Sequence, residues 1–340
     1  MLMSLLKTAD ELRRYVTVDS TTVPEPVHRE EEHLRTHLLL PVLGATLLHW
    51  LDDQYDAGTV APTDDTLAGK LLARVQAPLG RLAVAGSLDE LQVSIDQTGI
   101  HIVSTDTQKT AFGWQIAALR KTLTRKGYQD MNALLAWLEA NRAASPELEA
   151  WAAGEGQVYR RQLLVSAEQF SQYENISASW TVFAALVPLI RKQELFVLEP
   201  QIGYDFLSEL RDQVRTRTLS EENRDLLTQF VEPALAACTL ARAVPELGLR
   251  LTGDGIELAV ARIDTDNSKE ADAGLDQLLR ARAFDAQHSA DILLEKMRRF
   301  LNERASATRY ATYFRLGPYR APNAAVVPLN TPESKVYRLS

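Results

Sequence analysis

Two histidines stand four residues apart in His33-Leu34-Arg35-Thr36-His37. On a helix that spacing sets both imidazoles on one face, as a zinc site requires. His28 and Glu30 to Glu32 lie close by, yet no glutamate follows His33 as it does in H-E-x-x-H. Two solvent-facing histidines on a charged helix is the simpler reading. Carboxylates pair at Asp52-Asp53, at Asp64-Asp65 and at Asp264 with Asp266. General acid–base work needs a carboxyl of shifted pKa in a cleft. These pairs fall near predicted element ends and read as helix caps and solvated loops. Gly253-Asp254-Gly255 lies between alternating segments and reads as a turn rather than a phosphate cradle. The chain has no G-x-x-x-x-G-K-[ST], no G-x-G-x-x-G and no G-x-S-x-G. Nothing marks a serine–histidine–aspartate triad. Cys238, in a run of small residues, reads as a packed thiol. Two basic clusters, Arg120, Lys121, Arg125 and Lys126, then Lys296, Arg298, Arg299 and Arg304, read as solvated faces or as contacts with an acidic partner. The sequence therefore nominates no catalytic, cofactor-binding or metal-ligating residue, and the expectation is a protein that is not an enzyme and carries no cofactor.

The elements that would position these groups come from a chain of 340 residues, 46% hydrophobic and 24% charged, which reads as globular. The formal net charge of −8 argues against a generic grip on nucleic-acid backbone. One cysteine excludes an internal disulfide scaffold. No apolar run approaches the length of a membrane helix, and the opening MLMSLLKTADELRRY lacks the apolar core of a secretory signal.

The chain is written twice. Leu5-Leu6-Lys7-Thr8-Ala9-Asp10-Glu11-Leu12 matches Leu163-Leu164-Val165-Ser166-Ala167-Glu168-Gln169-Phe170, each with a capping-box signature. Pro41-Val42-Leu43-Gly44 matches Pro200-Gln201-Ile202-Gly203. Leu71, Leu72, Val75 and Pro78 match Leu226, Leu227, Phe230 and Pro233, and a proline there predicts an interrupted helix in both copies. Leu91, Val93, Ile95, Ile100 and Ile102 alternate about a glycine turn, as do Leu247, Leu249, Leu251, Ile256, Leu258 and Val260. That pattern predicts a β-hairpin with one buried face in each copy. Trp137-Leu138 with Phe300-Leu301 is a weaker match late in a helix.

The expected fold is mainly α, two tandem homologous helical units with a small β-hairpin in each. Residues 1–150 form the first repeat, with its hairpin near 91–104, and 151–162 form a linker. Residues 163–310 form the second, with its hairpin near 247–261, and 311–340 an extended proline-rich tail. In the first copy helices are expected over 9–16, 25–54 with a break at Pro41 and Gly44, 65–85, 112–126 and 129–142.

A unit opening ELRRYV and running to LLPVLGATLLHWL resembles the small helical head–tail connector (adaptor) proteins of tailed phages. More narrowly, it resembles an uncharacterised family of phage and prophage regions in Bacteroidetes. The resemblance spans roughly 5–142 and 163–304. It implies a structural subunit that forms a homo-oligomeric ring by self-association, with portal and tail proteins as neighbours. DNA would pass without adhering, and no membrane is involved. It implies no catalytic residues, and a place in the virion or the bacterial cytoplasm. Two units in one chain depart from the usual single unit, and let six chains imitate a ring of twelve. The alternatives are a monomeric helical module that binds one protein, a component of a contractile injection apparatus, or an enzyme with a site between the repeats.

Overall fold

The computed structural model describes residues 4–96, 99–102, 111–247, 249–252, 255–258 and 272–321. The chain divides into two compact units, one of 1–161 with 165–185 and the other of 162–164 with 186–340.

In the first unit Thr8 and Glu11 form the expected capping box and open α1 (Ala9–Arg13). α2 (Glu25–Leu34) passes through a π turn, Arg35–Leu39, into α3 (Leu40–Asp56). The widening has a cause in Pro41. A proline has no amide hydrogen, and its ring collides with the carbonyl four residues back. Lengthening one turn by a residue moves that carbonyl aside, and the Leu40 amide donates to Arg35 O, five residues back. Gly44, at φ 73°, then breaks the helix with a conformation that a Cβ would oppose. α4 (Leu67–Ser87) is capped by Thr66 and runs through Pro78. α5 (Gly113–Ala140) packs along it. α6 (Pro146–Ala153), capped by Ser145, is followed by a 3-10 turn, Glu155–Arg160. Trp151 of α6 donates its indole N–H to Val42 O at 2.9 Å, supplying a partner to a carbonyl beside the break at Gly44. α7 (Ala167–Ser171), capped by Ser166, and the first turns of α8 (Trp180–Gln193) belong to the same unit.

The second unit repeats the devices. From α8 the chain enters a π turn, Glu194–Leu198, and then α9 (Glu199–Ile202), with Pro200 placed as Pro41 is. Gly203, at φ 86°, breaks the helix before α10 (Tyr204–Thr216). α11 (Glu221–Leu226) meets a third π turn, Leu227–Val231, ahead of Pro233 in α12 (Glu232–Leu247). α12 packs on α13 (Asp272–Arg304), and α14 (Ala311–Leu316) follows. The long helices α5 and α13 bury the same stripe 163 residues apart: Leu123, Gly127, Met131, Leu134 and Leu138 answer Ala286, Ala290, Leu294, Met297 and Leu301.

The β-hairpin predicted as a member of each repeat is corrected. Between α4 and α5 a 3-10 turn, Glu90–Gln92, takes in Leu91, which is exposed, and Leu247 closes α12 as helix. What remains is a four-residue antiparallel ladder in each repeat, β1 (Val93–Asp96) with β2 (Gly99–Ile102) and β3 (Leu249–Thr252) with β4 (Gly255–Leu258). Neither ladder joins another strand among the described residues, so no sheet forms a layer and the framework is helical. Two strands alone are marginal, and the structure's stability must come from helix packing. Residues 97–98, 103–104, 248, 253–254 and 259–261 of the predicted hairpins lie outside the described residues.

Other expectations are also adjusted. The helices read over 112–126 and 129–142 are one, α5, because Gly127 is a packing notch and not a terminator. A Cβ there would stand 2.6 Å from Leu82 Cγ. The interruption expected at both Pro78 and Pro233 is a π turn only before Pro233. The stretch 151–162 is built as the end of α6 and a 3-10 turn, with Trp151, Ala152 and Gly156 buried. Of the tail at 311–340, α14 takes 311–316 with Tyr313 fully buried, and 322–340 lie outside the described residues.

Cys238 is buried in α12, and desolvation, with Asp291 adding to it, pushes its thiol pKa up to about 11. The thiolate is the reactive form. A disulfide reagent such as DTNB should therefore leave the native chain unmodified and titrate one thiol once denaturant is added. Rapid reaction of the native chain would show that α12 opens readily.

Candidate functional site

Each repeat opens on two fully buried leucines held by a buried glutamate. In the first, the Leu5 amide donates to Glu31 Oε1 at 2.6 Å, and the Ser4 hydroxyl to Glu31 Oε2 at 2.7 Å. In the second, the Leu163 amide donates to Glu194 Oε1 at 2.6 Å. Glu194 also takes Arg211 Nη2 on its other oxygen at 2.6 Å. Desolvation dominates its environment and raises its pKa, against the Leu163 amide and Arg211, which lower it. In the first repeat the ion pair is a separate one, Arg35 Nη2 to Asp52 Oδ2 at 2.7 Å. Burial raises the Asp52 pKa in the same way, opposed by Arg35. Asp52 thus leaves the group of helix caps and solvated carboxylates; Asp53 and Asp65 stay exposed, and Asp64 accepts from the Ala61 amide. These buried groups belong to the frame of each repeat. Sequence reasoning missed them because single charged residues inside apolar helices match no motif.

His33 and His37 are both exposed, their rings 4.4 Å apart on the first π turn and the helix before it. Among the described residues no three histidine, cysteine, aspartate or glutamate side chains converge as a metal site would need. Asp264, Asp266, Gly253 and Asp254 lie outside the described residues.

The basic clusters do not correspond. At the spacing that aligns α5 with α13, Lys121 meets Phe284 and Arg125 meets His288, while Arg298 meets Leu135. One cluster lies toward the start of its helix and the other toward the end. Arg120 is paired with Asp89 at 2.5 Å, and Arg299 with Glu295 at 3.3 Å. Arg304 lies over the Phe300 ring at 4.2 Å. No shared basic face results. A groove of about 290 Å³ between α4 and α5 is lined by Lys70, Ala73, Arg74, Ala77, Asp130 and Ala133. Its charges are engaged: Lys70 pairs with Asp65, Asp130 with Arg81, and Arg74 lies over the Trp137 ring.

Both long helices carry exposed apolar side chains ahead of the buried stripe, though at positions that do not correspond. The buried stripes begin at Leu123 and Ala286, and several apolar side chains before them are exposed. There Trp114 is 72% exposed and Phe112 69% in the first repeat, and Phe284 is 72% exposed and Leu278 69% in the second. Leu119, five residues beyond Trp114, is exposed as well. Exposed aromatic side chains grouped at one place in a fold mark a contact surface more readily than scattered ones. The signal in the sequence was the aromatic pair Phe112 and Trp114 at the head of a helix whose apolar stripe begins only nine residues beyond Trp114. This is the candidate functional surface.

A model for a family of unknown function (DUF6712) matches residues 39–158 and again residues 198–323. No curated protein and no solved structure gives a match.

Proposed function

The chain belongs to the DUF6712 family of unknown function, carried in two tandem copies, and from that premise we propose that it is a non-enzymatic structural subunit of a phage or phage-derived particle. In this reading it is a head–tail connector-like protein that self-assembles into a ring. The observation that supports it is the exposed apolar surface at the head of α5 and again at the head of α13. A head-to-tail contact that uses one surface of each subunit against a different surface of the next closes into a ring when the rotation permits. Exposed apolar side chains lie ahead of the buried stripe in both long helices but at different positions, and so supply two unlike surfaces for such a contact. The net charge of −8 suits a channel through which DNA passes without adhering, and portal and tail proteins are the neighbours on either side. No helix among the described residues is long and apolar enough to cross a membrane, and the proposed place of action is the virion or the bacterial cytoplasm.

Particle mass, measured by mass photometry across a concentration series with negative-stain images, tests this. Closed rings are the expected result, and their copy number tests whether six chains stand in for twelve units. Trp114→Ser with Phe284→Ser should shift the distribution toward single chains while leaving the helical circular dichroism unchanged. Single chains at every concentration would overturn self-assembly and favour a module that binds one protein partner.

A further inference from the structure

Each repeat carries an ion pair across its glycine break, and the two pairs have opposite polarity. Arg35 stands nine residues before Gly44 and Asp52 eight after it. Glu194 stands nine residues before Gly203 and Arg211 eight after it. The positions are the same, and base and acid have changed places. Both pairs are close, at 2.7 Å and 2.6 Å. Both are inside: side-chain exposure is 1% for Arg35 and 11% for Asp52, and 0% for Glu194 and 24% for Arg211.

We infer that the reversal is a pairing rule: the helix before each glycine accepts the helix after the glycine of its own repeat, in the same chain or in a second copy, and rejects that of the other repeat. The need for such a rule follows from the duplication. Similar units in one chain misassemble by exchanging equivalent elements, and a break at one residue is the hinge such an exchange uses. If the segment ending at Gly44 docked in place of the one ending at Gly203, Arg35 would face Arg211. The reciprocal exchange sets Glu194 against Asp52. Like charges brought together away from water repel strongly, and each also loses the partner that offset its burial. A second mismatch adds to this. In the second repeat the acceptor for the leucine amide is Glu194, but in the first it is Glu31, one turn earlier, where the second repeat has Ile190. Discrimination by built-in repulsion is how related partners are commonly kept apart. The rule does not depend on whether the chain forms a ring.

The test refolds the full chain from denaturant as an equal mixture of unlabelled and ¹⁵N-labelled copies, then cross-links it and reads the linked peptides by mass spectrometry. Links that join 25–43 to 45–56, or 186–202 to 204–216, are same-repeat; links that join 25–43 to 204–216, or 186–202 to 45–56, are cross-repeat. In the wild type the expected links are same-repeat, within a chain or between copies, with cross-repeat links rare. Arg35→Glu with Asp52→Arg gives the first repeat the polarity of the second, and should raise the cross-repeat share several-fold while keeping an ion pair in each repeat. Cross-repeat links as frequent as same-repeat ones in the wild type would overturn the rule without recourse to any variant. So would a cross-repeat share that R35E/D52R leaves unchanged. If R35E/D52R does not refold, the wild-type ratio alone decides.

Discussion

Glu194→Ala is expected to destabilise the second repeat by about 3 kcal/mol, the lower end of the range for breaking a buried ion pair. One side chain there performs two tasks: it accepts the Leu163 amide and neutralises Arg211. Removing it leaves a buried amide without its acceptor and a guanidinium without its counter-charge. The lower end applies because Arg211 is 24% exposed and can turn partly to water. Glu194→Gln retains an oxygen for Leu163 and a neutral contact for Arg211, so its loss should be smaller. The first repeat offers the contrast. Glu31 holds Leu5 and Ser4, while Arg35 and Asp52 pair without it, so Glu31→Ala breaks hydrogen bonds but leaves the ion pair standing. Urea denaturation of the full chain, analysed for two transitions because two units need not unfold together, checks the order of the three variants. A wild-type midpoint for Glu194→Ala would remove this glutamate from the frame.

Leu138→Ala and Leu301→Ala are expected to cost about 2–5 kcal/mol each, the range for emptying a fully buried leucine site. Both side chains are wholly enclosed and occupy the last position of the shared stripe. Leu138 closes the row of Leu123, Gly127, Met131 and Leu134 against α4. Leu301 closes the row of Ala286, Ala290, Leu294 and Met297 in the helix that packs on α12. Because the positions are equivalent, the two losses should be similar in size and each should fall on the transition of its own repeat. A substitution tolerated in one repeat and not in the other would show that the second copy of the stripe is not a structural equivalent of the first.

The duplication was legible because it rests on local chemistry. A hydroxyl cap (Thr8 and Thr66, Ser166 and Ser220), the proline two residues past a π turn and the glycine three residues further recur in both copies. The break at Gly44 could be placed from sequence, since glycine at a positive φ and a preceding proline both leave marks. The π turns could not, because one extra residue in a turn alters no residue type. The stripe shared by α5 and α13 was visible only as Trp137-Leu138 and Phe300-Leu301. Its other members differ in identity, and the spacing changes from 156 residues at the strands to 163 at these helices. The hairpins were overrated because alternation reports what a strand could bury, whereas each ladder joins only two strands among the described residues. The ion pairs were the hardest to see. A search for likeness scores Arg35 against Glu194, and Asp52 against Arg211, as two unrelated mismatches, although together they preserve one interaction.

The reversed polarity also bears on inheritance. Going from one arrangement to the other by single replacements passes through two acids or two bases facing each other inside a helix bend, unless one position is first made neutral. A crossover between the two halves of the coding sequence that falls between codons 35 and 52, or between 194 and 211, joins like charges in one step. Crossovers outside those windows move each pair intact. Selection should therefore tolerate exchange of whole bends between the halves and purge exchange within a bend, so that each of these two stretches is inherited as an undivided block even where the rest of the duplicated gene is blended.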